Sequence, residues 1–141
     1  MKESINQKKQ YKFKELKVYS STEWLADNKK KYRQVFDRQN VSYIYAELSF
    51  YNKLFDENVW EVNVNFKCFQ IKNKKREICS LNFTRKVSKY DNIVYIREGW
   101  GNKKGGVFWK KGSYLWEVYI EGEKVGFKYF YVEDSGNQID Q

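Results

Sequence analysis

The sequence has no histidine and no proline, only two cysteines and one methionine in 141 residues. Without histidine, neither a Ser-His-Asp nor a Cys-His catalytic arrangement can be assembled. Two cysteines, Cys68 and Cys79, are too few for a disulfide framework or a four-ligand zinc site, and no histidine can complete one. No metal and no cofactor are therefore expected. No run approaches the ~18 apolar residues of a membrane span, so no membrane partner is expected. The polar start Met1-Lys2-Glu3-Ser4 leads into no secretory apolar segment, which makes a cytoplasmic location the expectation. Average usage of about 5% would supply several prolines. With none, strand edges must be guarded by lysines and bulges.

Aromatic residues are abundant, at 19% of the chain, and aromatic enrichment favours strands. The densest signal is Gly99-Trp100-Gly101, then Gly105-Gly106-Val107-Phe108-Trp109, then Gly112-Ser113-Tyr114. Glycine admits positive φ and close backbone approach, and tryptophan buries a large ring, so Trp100 and Trp109 are read as a packed corner of an all-β domain. The run Lys103-Lys104-Gly105-Gly106 has its lysines before its glycines, the reverse of a phosphate-binding loop. The acidic pairs Asp56-Glu57, Glu121/Glu123 and Glu133-Asp134 fall in expected turns or in the tail, a poor frame for two-carboxylate hydrolysis.

Alternation of apolar and polar residues marks the strands. Strands are expected at 13–19, 32–37, 42–50, 60–68, 78–87, 93–96, 114–120 and 125–132, with a helical turn at Ser21-Thr22-Glu23-Trp24-Leu25. Residues 1–12 read as a disordered basic lead, 13–132 as one β-domain, and 133–141 as a linker-like tail. For 60–68 and 78–87 the apolar sets agree when opposed residue numbers sum to 147, which places Cys68 opposite Cys79 and Trp60 opposite Val87; a slip by one would turn one set toward water. Val125 differs from Phe130 and Val132 in phase, so a bulge is expected at Gly126. Seven or so short strands and no long helix point to an immunoglobulin-like antiparallel β-sandwich, without that fold's hallmark disulfide.

The formal charge is +9. Residues 1–33 carry ten Lys/Arg against four Asp/Glu, and residues 34–141 carry seventeen against fourteen. The N-terminal lysines, Lys8-Lys9 and Lys29-Lys30-Lys31 among them, could give weak, non-specific contact with nucleic acid. Tyr43 and Tyr45, taken together with Asn63, Asn65 and Lys67, form the candidate binding surface, a mixture of rings and amides suited to a peptide, a sugar or an unpaired base.

The order Tyr43-Ile44-Tyr45-Ala46-Glu47-Leu48, Gly99-Trp100-Gly101, Trp109, Gly112, Tyr114, Val118-Tyr119-Ile120, Gly122 and Phe130-Tyr131-Val132 resembles the N-terminal accessory β-sandwich of bacterial AAA+ ATPases of the sporulation stage V protein K type. The resemblance implies a non-catalytic interaction domain whose ATP-binding module lies outside this chain, and a protein partner. Its motif is structural: Gly99, Trp100, Gly101, Trp109, Gly112 and Tyr114 carry no catalytic role. A nucleic-acid-binding β module is the alternative, and carbohydrate recognition a weaker one.

Overall fold

The computed structural model describes residues 9–20 and 34–134. Eight strands are found among the described residues: β1 (Tyr11–Ser20), β2 (Val35–Asp37), β3 (Tyr43–Asn52), β4 (Trp60–Ile71), β5 (Lys75–Val87), β6 (Ile93–Gly101), β7 (Gly112–Ile120) and β8 (Glu123–Glu133). They form a three-stranded sheet ordered β1-β3-β6 and a five-stranded sheet ordered β2-β8-β7-β4-β5. This is an immunoglobulin-like sandwich in which β3 to β4, β5 to β6 and β6 to β7 each cross between sheets. One pairing departs from the expected antiparallel plan. β2 lies parallel to β8, with Val35 opposite Tyr131, which a crossing connection permits and a hairpin would not.

Alternation along each strand sends one residue set between the sheets, and there it builds a single core. Leu16, Ala46, Leu48, Phe50, Val62, Val64, Phe66, Cys68, Val94, Ile96, Trp116, Val118, Phe130 and Val132 all belong to it. The register of β4 with β5 runs from Trp60 opposite Val87 to Cys68 opposite Cys79, as the apolar match requires. Beyond Cys68 it shifts, Phe69 facing Glu77, so Ile78 is an extra residue and turns toward the core. On β8 the shift falls between Gly126, opposite Val118, and Lys124, opposite Tyr119. Val125 is thus the extra residue beside Gly126, and it reaches the core together with Phe130 and Val132.

Several expected boundaries move. The strand β1 starts at Tyr11, whose ring is buried against Phe50 at 5.9 Å, so the basic lead cannot extend to residue 12. Glu133 ends β8 rather than opening a tail. The strand β6 continues through Gly99 and Trp100 to Gly101, because that stretch pairs fully with β3. The expected helical turn at 21–25, Lys8 and Lys29–Lys31 lie outside the described residues.

The two ends of the sandwich are pinned differently. At one end the buried Asn52 accepts hydrogen bonds from Trp60 Nε1 and the Leu54 N–H, both at 2.9 Å, and donates to the carbonyls of Ser88 and Asp91. At the other end Tyr114 Oη donates to the Lys110 carbonyl at 2.7 Å and accepts from the Lys110 N–H at 3.2 Å. A tyrosine near the start of this strand, bonded to backbone a few residues upstream, is the tyrosine corner of immunoglobulin-type sandwiches. Two residues on, where such domains carry their second disulfide cysteine, stands the fully buried Trp116. Its ring meets Phe66 of the neighbouring strand β4 edge-to-face at 6.3 Å, a contact within the five-stranded sheet.

Candidate functional site

The five residues of the expected binding surface do not meet. Tyr43 and Tyr45 lie on the outer face of the three-stranded sheet, whereas Asn63, Asn65 and Lys67 lie on the outer face of the five-stranded one. The reason is the turn after Asn52. It carries the chain from one sheet to the other, so the outward sets of β3 and β4 point in opposite directions. Tyr45 is half-buried between Tyr19 at 5.5 Å and Tyr43 at 6.3 Å. The Arg97 guanidinium sits 5.0 Å over the Tyr45 ring and donates to Tyr19 Oη. Gly99 lies directly opposite Tyr45, and a Cβ there would collide with that ring. This is a packed aromatic ladder.

The Gly/Trp segment is architecture. Trp109 is fully buried, its ring edge-to-face with Phe108, Tyr114 and Phe130 at 5.0, 4.9 and 5.5 Å. Its Nε1 donates to the carbonyl of the half-buried Trp100 at 3.3 Å. Gly101, at φ 149°, passes so close to the Ser42 carbonyl that a Cβ would overlap it. Gly112 opens β7 two residues before the corner tyrosine. The Gly106 N–H is spent on the Val41 carbonyl at 3.0 Å, and so does not cradle a phosphate.

The outer face of the five-stranded sheet offers more. Its rows, read across the strands, are Val35, Tyr131, Ser113, Ile71 and Lys75; then Tyr129, Leu115, Phe69 and Glu77; then Phe127, Glu117, Lys67 and Ser80; then Lys124, Tyr119, Asn65 and Asn82. At its centre Glu117 is only 2% exposed. It accepts from Lys75 Nζ and Tyr119 Oη, each at 2.7 Å, and from Lys124 Nζ at 3.2 Å. Burial pushes this carboxyl upward, but the bonds from Lys75, Tyr119 and Lys124 outweigh it and hold it below its ordinary value. The same bond pushes Tyr119 up to about 12. Lys75 also lies 4.4 Å over the Phe69 ring, and Lys67 5.2 Å over Tyr119.

Beside this network three aromatic side chains on β8 stand in water: Phe127, Tyr129 and Tyr131, at 57, 53 and 36% exposure. The line ends next to an open groove of about 510 Å³ between β8 and β1, lined by Phe13, Leu16, Val125, Lys14 and Lys128.

The Tyr131 end of the face adjoins a basic pole. Segments 72–76 and 102–111 contain Lys72, Lys74, Lys75, Arg76, Lys103, Lys104, Lys110 and Lys111 and no acidic residue. Pairing of Ile71 with Ser113 brings them to the same end, where Arg76, Glu77, Phe108 and Lys110 line one cleft of about 300 Å³. At the opposite end, segments 53–59, 88–92 and 121–123 hold Asp56, Glu57, Asp91, Glu121 and Glu123 against Lys53 and Lys89, with Lys9 and Lys124 beside them. The run Lys72-Asn73-Lys74-Lys75-Arg76 was visible in the sequence as a charge cluster; its meeting with 102–111 was not.

The cysteines offer no reactive site. Both are free and buried, and burial pushes the Cys68 thiol well up and the Cys79 thiol to about 11. Among the described residues, no cluster of three or more Cys, Asp or Glu side chains could hold a metal ion, and no helix is long and apolar enough to cross a membrane.

No protein-family model matches the sequence, and neither does any curated protein. Among solved structures, the chain is similar to the Pseudomonas fluorescens alkylpurine DNA glycosylase AlkC bound to DNA containing an abasic site analog, with a TM-score of 0.53 and 12% identity. That match covers 88% of this chain and 30% of the glycosylase. It is also similar to an immunoglobulin-like protein, PA1606, from Pseudomonas aeruginosa, at TM-score 0.50 and 7% identity over 89% of this chain and 98% of that one. A β-glucosidase from Listeria innocua matches at TM-score 0.50 and 10% identity, over 89% of this chain and 17% of the enzyme. The chain thus spans under a third of each of these two enzymes. At such identities the likeness shows the fold: an immunoglobulin-like β-sandwich.

Proposed function

We propose that this chain is a non-catalytic accessory module that binds polyanions, nucleic acid foremost, through its basic pole. The observation that carries the reading is the gathering of eight Lys/Arg in segments 72–76 and 102–111 at one end of the sandwich, where they outnumber Asp37, Glu133 and Asp134 of the same end. A molecule polarised in this way orients as it approaches a polyanion, which raises the rate of productive encounter. The pole on the folded body is the main contact in this reading; of the N-terminal lysines, Lys9 is paired with Glu123 at 2.9 Å.

The accessory role is supported by sandwiches of this fold that occupy 30% of a DNA glycosylase and 17% of a β-glucosidase. That the glycosylase is bound to DNA agrees with the reading, but at 12% identity the charge carries it. An ATPase as the catalytic partner rests on the sequence resemblance alone. So does recruitment of a protein. A cytoplasmic setting suits two cysteines that face each other across a ladder unbonded, as a reducing compartment keeps them.

The test is fluorescence anisotropy with a labelled oligonucleotide over a salt series, comparing the wild type with a variant carrying Lys72→Ser, Lys74→Ser, Lys110→Ser and Lys111→Ser. Each phosphate contact contributes about 0.7–0.9 to the slope of log K against log salt, so losing up to four contacts should lower the slope by as much as ~3. An unchanged slope and affinity would move the contact elsewhere and sink the reading.

A further inference from the structure

The exposed line on β8 has a geometry that phosphate contact alone does not use. Phe127, Tyr129 and Tyr131 alternate with Lys128, Phe130 and Val132, the last two in the core, so their rings project from one face. Successive side chains on one face of a strand are about 6.6–6.8 Å apart, roughly twice the rise per nucleotide of a stacked strand. A duplex, with its bases paired and stacked, presents phosphates and base edges to a protein. Ring faces become available only in an unpaired strand whose bases have been drawn apart.

The rings are held so that they stay open. Phe127 and Tyr129 meet at 6.0 Å with planes 80° apart, edge against face, which leaves one flat surface free. Beside them the buried Leu115 and Phe69 give the row an apolar floor. Lys124 lies 6.0 Å over the Phe127 ring, and both it and Lys75 converge on the central Glu117. The line begins at Tyr131, in the same row as Lys75 and Ile71, where the basic pole starts.

We propose that this face is a single-strand platform: the phosphodiester backbone is captured at Lys72, Lys74 and Arg76, and consecutive bases unstack onto Tyr131, Tyr129 and Phe127. The proposal rests on the basic-pole reading and narrows it from polyanions in general to unpaired nucleic acid. Sequence preference should be slight, because every base has a ring face to offer.

The experiment uses the full chain, a labelled oligothymidine of about fifteen nucleotides (roughly the upper site size of a single-strand module), a duplex of equal length, and anionic phospholipid vesicles. Wild type is compared with the triple variant Phe127→Ser, Tyr129→Ser, Tyr131→Ser and with Tyr129→Ser alone, whose small surface change keeps a folded sample available should the triple variant fail. Circular dichroism checks folding in each. Wild type is expected to prefer the single strand by at least about tenfold, and Tyr129→Ser to weaken it by about 5- to 150-fold, the worth of one stacked base. Duplex binding should be unmoved by both variants.

Equal affinity for single strand and duplex, or a Tyr129→Ser variant that binds the single strand as wild type does, would overturn the platform and leave the pole reading intact. Binding to the vesicles alone would overturn the platform and leave the pole as a general polyanion site, and failure to bind nucleic acid or vesicles at low salt would overturn both.

Discussion

Replacing Trp109 with alanine is the sharpest test of whether the Gly/Trp segment is architecture or a ligand surface. The ring is fully buried, touches three other rings within 5.5 Å, and donates to the Trp100 carbonyl. Removing a core tryptophan costs about 3–5 kcal/mol. The site cannot collapse easily, because Tyr114 is tied to the Lys110 backbone and Phe130 is stacked on Tyr114 at 5.3 Å, so the upper part of that range applies. For a domain of this size, each kcal/mol moves the melting temperature by roughly 2–4 °C, which gives a fall of about 10–20 °C. Trp109→Phe keeps a ring and loses the N–H donor, so its cost should be smaller, about 1–3 kcal/mol. Melting followed by far-UV circular dichroism is the suitable assay, since the substitution removes a fluorophore. A Trp109→Ala protein melting within about 2 °C of wild type, the range of a neutral surface change, would refute the packing argument and return the ring to the surface.

Two further substitutions probe the ends and centre of the five-stranded sheet. Tyr114→Phe deletes the hydroxyl that grips Lys110, and should cost about 1–1.5 kcal/mol while making segment 102–111 cut faster under limited trypsin digestion; unchanged stability and unchanged cleavage would deny the corner its role. Glu117→Gln tests the ion network through pH. The folded pKa of Glu117 lies below its ordinary 4.5, so its stabilisation is present above 4.5 and is lost as pH falls through the lower folded value. The variant should therefore be less stable than wild type at neutral pH and converge with it in acid, as urea unfolding at a series of pH values will show. Because Lys75 and Lys124 are then released, affinity for the oligonucleotide should rise as stability falls. Parallel acid profiles for the two proteins would refute the network.

How far the structure could be read in advance depends on whether the deciding interaction is local. The register of β4 and β5 was legible because each strand has one apolar and one polar set, and only one alignment buries both apolar sets. The bulge at Val125 was legible because Gly126 marks it and the phase breaks there. The extra residue Ile78 carried no such mark, since cysteine on one side and glutamate on the other are compatible with either phase. Alternation tells inside from outside but not which of two sheets a strand joins. That is why Tyr43 and Tyr45 were grouped with Asn63, Asn65 and Lys67, though the sandwich separates them. The proposed recognition face was hidden for the same reason. Lys72–Arg76 and Lys110-Lys111 form one pole only because Ile71 pairs with Ser113, a contact across more than thirty residues that no local pattern announces. Counting charge along the chain favours the N-terminal segment, whereas folding concentrates it: fifteen residues of the body, in two separate segments, place eight cations at one end. Phe127, Tyr129 and Tyr131 are exposed although an aromatic on a strand is usually buried. Their exposure follows from the opposite phase of Phe130 and Val132, which already fill the core side of β8 and leave the rings no direction but outward.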